Sequence, residues 1–66
     1  MDLRIAIGEY IAERGIIKKH IAEKAGIDVA SFSQILNLRR KLMAEEYVAI
    51  CDALQVPYDT FVKRAA

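Results

Sequence analysis

Most side chains that could carry chemistry in this 66-residue chain lie between Lys18 and Lys41. Residues 14–41 hold seven Lys and Arg against two acids, Glu23 and Asp28, a net +5 in a chain whose total is only +1. Both flanks are acidic, so the charge is segregated. That pattern implies one positive face, suited to a polyanion. The polar side chains in the same stretch are short or amide-bearing: Ser31, Ser33, Gln34 and Asn37. Lys and Arg neutralise phosphates, and Gln can bond an adenine edge at two points. Other reactive types are isolated. His20 has no partner at metal-ligand spacing and reads as a partly exposed helix residue. Cys51, the one cysteine, lies on an apolar stripe and reads as a small buried hydrophobe. Ser31, His20 and Asp28 form no recognisable triad, and no Gly-rich phosphate loop exists. No enzyme, cofactor, metal or small-molecule ligand is expected.

Length and composition favour the same class. A chain this short makes one domain, residues 1–66, with a core too small to host a deep cleft, so binding at a surface is the better expectation. The apolar fraction, 55%, is enough to fold. Tyr47 to Cys51 is the longest apolar run, far short of the roughly 20 residues of a membrane span. Met1-Asp2-Leu3-Arg4 lacks the basic and apolar regions of a signal peptide. With a lone cysteine, these features point to a cytoplasmic protein that folds without disulfides.

Helices must position the central stretch, because apolar residues recur at helical spacing and no segment alternates like a strand. Asp2 can cap a first helix bearing Leu3, Ile7, Tyr10 and Ile11 on one stripe and ending at Arg14, with Gly15 as its stop. A second helix is expected over about Lys18 to Ala25, with Ile21, Ala22 and Ala25 inward and Gly26 ending it. Asp28 is a good N-cap for a third, Val29 to Asn37, with Phe32, Ile35 and Leu36 inward. A basic loop follows. The fourth, about Ala44 to Leu54, buries Tyr47, Ile50, Cys51 and Leu54 at i, i+3, i+4 and i+7. Pro57 is expected to open a short fifth helix with Tyr58, Phe61 and Val62. The fold class is thus all-α, with five short helices.

The segment Lys18–Asn37 has a physical logic of its own. Two helices crossing steeply after a short turn need a small residue where they touch, and Ala22 supplies it. The turn needs a left-handed residue, which Gly26 accommodates at no steric cost, and Ile27 fills the space beneath. Val29, Ala30, Ser31, Ser33 and Gln34 remain outward on the second helix of the pair. A groove about 12 Å wide accepts such a face.

Over roughly residues 4–62 the sequence resembles the phage repressor and Cro (XRE) family of helix-turn-helix regulators. The matching residues are Ile21-Ala22-Glu23-Lys24, Gly26-Ile27-Asp28, Phe32, Ile35, Asn37, Ile50, Ala53-Leu54-Gln55-Val56, Asp59 and Phe61. The resemblance implies a lambda-repressor-like domain binding double-stranded DNA, with the motif at about residues 18–37. By position it implies phosphate contact for Lys18 and Lys19, base reading for Val29, Ala30 and Gln34, flanked by Ser31 and Ser33, and backbone grip for Asn37, Arg39, Arg40 and Lys41. Three departures stand out. Ile17 replaces the usual Thr or Ser cap, Leu38 a frequent glycine, and the usual proline near position 42 is absent. The function expected is operator binding, with repression as the outcome. An antitoxin or restriction-modification controller would share the mechanism, and an antirepressor-like protein-interaction module would keep the fold without DNA. A symmetric homodimer through Val56, Tyr58, Phe61 and Val62, joined by Val48, is the expected assembly.

Overall fold

The computed structural model describes all 66 residues. Its five helices are α1 (Leu3–Glu13), α2 (Lys18–Ala25), α3 (Val29–Leu36), α4 (Ala44–Leu54) and α5 (Thr60–Ala65), with no strand. Nine residues form one core: Ala6, Ile7 and Ile11 of α1, Ile21 and Ala22 of α2, Phe32 of α3, Ile50 and Cys51 of α4, and Phe61 of α5. Each helix contributes to it. Helix α2 packs chiefly on α4 and α3, while α1 packs on α5 and α3. No helix is long and apolar enough to cross a membrane.

Four helices end in the same way. A residue at positive φ follows each (Gly15 +64°, Gly26 +71°, Leu38 +64°, Gln55 +59°). The next residue's N–H then returns to a carbonyl five positions back: Ile16 to Ile11, Ile27 to Ala22, Arg39 to Gln34, Val56 to Cys51. This bond occupies a carbonyl that the helix itself leaves free. Ile16, Ile27 and Val56 also pack on the core, which fixes the exit direction of the chain. The fourth of these positions holds an arginine.

Starts are less uniform. The Asp2 carboxylate accepts from the Arg4 N–H at 2.8 Å, and Asp28 accepts from Ala30 and Ser31 at 3.1 and 3.3 Å. As the sequence implies, Ile17 gives α2 no side-chain cap. At α4 the Glu46 carboxylate accepts from the Met43 N–H at 3.0 Å.

The last helix departs from expectation. It starts at Thr60, not Pro57, because residues 57–59 form a turn closed by Thr60 N–H to the Pro57 carbonyl at 3.1 Å. The Tyr47 hydroxyl donates to the Tyr58 carbonyl, and the Tyr58 hydroxyl donates to Asp52 at 2.8 Å. These bonds hold the turn against α4. Phe61 sits edge-on to Tyr10 and Tyr47, with centroids at 5.4 and 6.3 Å. It is fully buried. Phe61 therefore belongs to the core and offers no dimer contact, which corrects that expectation. Val56 is half-buried against the core, leaving Tyr58 and Val62 exposed.

Candidate nucleic-acid interface

Helix α3 is bound to the body through Phe32 and Ile35, at 1% and 0% exposure. With those two inward, helical periodicity turns Val29, Ala30, Ser33, Gln34 and Asn37 outward, and all five are exposed. Positions 29, 33 and 37 form one row and 30 and 34 the row beside it. Asn37 is the C-cap, one residue beyond the helix, and its amide lies 3.4 Å from the Ser33 hydroxyl. Ser31 does not share this face. It is half-buried and lines a cleft of about 320 Å³ between the α2–α3 turn and α4. Its expected place among the outward residues is corrected: one turn before Ile35, it lies on the flank next to α4.

Cations lie in the segments on either side of α3 in the chain. Lys18 and Lys19 open α2, both exposed, where the first-turn N–H groups meet no capping side chain. Such uncapped N–H groups favour an anion. Arg39 and Lys41 are exposed in the loop after α3. Of the seven cations in residues 14–41, only Arg40 has a carboxylate partner, Glu46 at 2.8 Å. The other ion pairs join flanking residues: Arg4 to Asp2, Lys63 to Asp59, and Arg64 to Glu9 and Glu13. The acidic flanks thus neutralise their own bases and leave the middle positive.

Two residues outside the stretch hold the loop. Arg4 is bonded through Nε and Nη2 to the two Asp2 oxygens at 3.0 and 2.7 Å, and its Nη1 donates to the Arg40 carbonyl at 2.9 Å. Glu46 bonds both the Met43 N–H and the Arg40 guanidinium. The Met43 N–H and then Arg40 hold the Glu46 carboxyl below the usual range. Sequence reasoning missed both residues. Glu46, three residues after Met43, carried a signal as half of a capping box. The Arg4–Arg40 bond spans 36 residues and carried none.

His20 is exposed, and Cys51 is buried with its thiol pushed up by desolvation. A thiol in that state is a poor nucleophile.

A family model for the Cro/C1-type helix-turn-helix DNA-binding domain matches residues 6–64. No curated protein and no solved structure gives a significant match to the chain.

Proposed function

The chain belongs to the Cro/C1-type helix-turn-helix DNA-binding family, and from that premise we propose that it is a transcriptional repressor acting on an operator. Double-stranded DNA binding and regulation of transcription come with the family. In the proposed complex α3 lies in the major groove and bound protein blocks polymerase. The observation that carries this is the exposed row Val29, Ala30, Ser33, Gln34 and Asn37 in a stretch of chain whose cations, Arg40 apart, have no acid partner. Gln34 is the base reader, bidentate to adenine. Val29 and Ala30 pack on thymine methyl groups, and Ser33 and Asn37 contact base or backbone beside them. Lys18, Lys19 and the exposed loop cations Arg39 and Lys41 bind phosphates, supplying affinity without sequence preference. Cytoplasmic action as a homodimer, without cofactor or small-molecule ligand, completes the proposal.

A second reading has one observation in its favour. Val29, at the start of the stripe, is 43% exposed and apolar, which also suits a protein partner. Binding of random-sequence duplex in a low-salt gel shift separates the two, since a protein-interaction module leaves the duplex unshifted. Selection of bound sequences from a random pool then tests operator recognition. A repressor yields a pseudo-palindromic consensus, and enrichment of no consensus would refute sequence-specific function.

A further inference from the structure

Adjacent arginines in the α3–α4 loop have opposite surroundings. At the four helix ends that share one geometry, the residue after the left-handed position is Ile16, Ile27, Arg39 or Val56. Three are apolar and packed inward. Arg39 alone is exposed, with its backbone fixed by the bond to Gln34 at 2.8 Å and its guanidinium bonded to nothing in the protein. Arg40 is the reverse. Its carbonyl is held by Arg4, its guanidinium by Glu46, and its side chain lines the cleft that Asp28, Glu45 and Glu46 also line. Three carboxylates on that cleft oppose its release.

We infer that, of the two arginines of this loop, Arg39 is the one that binds phosphate and Arg40 is withheld from DNA by Glu46, serving as a positioning residue that ties the loop to α4. The inference deepens the DNA-binding proposal and rests on it. A rigid backbone presenting one free guanidinium next to α3 fixes where the phosphate lies relative to Gln34. A second free arginine would add affinity for any duplex and no discrimination between sites.

The number of phosphates neutralised is read from the slope of log K against log salt, about 0.9 per phosphate. On one operator duplex, or on random duplex when no operator has been selected, Arg39→Ala makes the slope shallower by about 0.9 per protomer. Arg40→Ala leaves it unchanged. Glu46→Gln keeps an acceptor for the Met43 N–H but frees Arg40, and steepens the slope by about 0.9. Adding Arg40→Ala to Glu46→Gln restores the original slope. A merely structural role for Arg40 would not produce that pattern. A shallower slope for Arg40→Ala alone, or an unchanged one for Arg39→Ala, overturns the assignment. The clamp is tested without DNA by NMR titration of the Glu46 carboxyl, whose midpoint rises in Arg40→Ala. An unmoved midpoint overturns the clamp. A raised midpoint in a protein that binds no duplex overturns the DNA reading instead, and with it the phosphate roles.

Discussion

At the residue scale, left-handed backbone separates two kinds of position. Leu38 adopts φ +64° with a branched side chain, a conformation that costs an L-residue about 1–2 kcal/mol. Glycine there removes that strain but adds about 0.5–1 kcal/mol of backbone entropy to folding. Leu38→Gly is thus expected to stabilise the domain by roughly 0.5–1 kcal/mol, seen as a higher midpoint in urea with an unchanged slope. Gly26 is the converse. A Cβ there would meet nothing within 4 Å, so the penalty of Gly26→Ala is conformational, about 1–2 kcal/mol, and Val costs more. Equal stability of Gly26→Ala and wild type would contradict the left-handed turn. Gln34→Ala belongs to this scale too. It should weaken discrimination at one base pair per half-site by about 1–3 kcal/mol while leaving the unfolding curve in place. A consensus unaltered in that variant would remove Gln34 from the readout.

At the element scale, α1 and the loop before α4 depend on the same carboxylate. Asp2 caps α1 and holds Arg4, and Arg4 holds the loop. Hydrogen bonds from the Arg4 side chain and N–H lower the Asp2 pKa from 3.8 to about 2. A lowered folded-state value means that the stabilisation is present above the unfolded value and lost as pH falls through the folded one. The window is therefore 3.8 down to about 2. Glu13, held low by Arg64, and Glu46, held low by Met43 and Arg40, lose their contributions in the same direction as acid is added. Stability measured by denaturant titration should fall across this range. Asp2→Asn keeps a cap but should flatten the acid limb. An acid limb identical to that of the wild type would show that the Asp2–Arg4 pair does not persist in solution.

At the scale of the whole molecule, the unneutralised middle and the self-paired flanks give the domain a polar asymmetry that its net charge of +1 conceals. One protomer presents a single recognition helix with few polar readers, so useful specificity calls for two. A C₂ pair is the commonest solution and sets half-sites roughly 34 Å apart. Val48, Tyr58 and Val62 are the exposed apolar residues of the C-terminal third and are the proposed contacts, with the rim of Val56 beside them. Sedimentation at micromolar concentration with and without operator is expected to show a dimer at least on DNA. Val62→Glu should weaken operator binding and leave the monomer folded, because Val62 is 53% exposed. A strict monomer in both conditions, with one protomer per duplex, would rule the dimer out.

Local chemistry determined the faces of the helices and most of their bounds. Apolar spacing set their faces, Asp2 and Asp28 their starts, and Gly15 and Gly26 two of their ends, so α2 and α4 have the expected bounds and the outward row of α3 was legible apart from Ser31. These features depend on residues within one or two turns of each other, where sequence and space coincide. Only the tertiary structure decided matters of long range. Helix α5 starts late because Tyr47 and Tyr58 bind its preceding turn to α4, and Phe61 is consumed by a core that includes Tyr10 and Tyr47. Leu38 occupies a conformation that its own type disfavours, in a loop held from Arg4 and Glu46. Two neighbouring arginines with identical chemistry received different environments for the same reason: the acid that binds Arg40 is positioned by the packing of α4, which the residues of the loop do not encode.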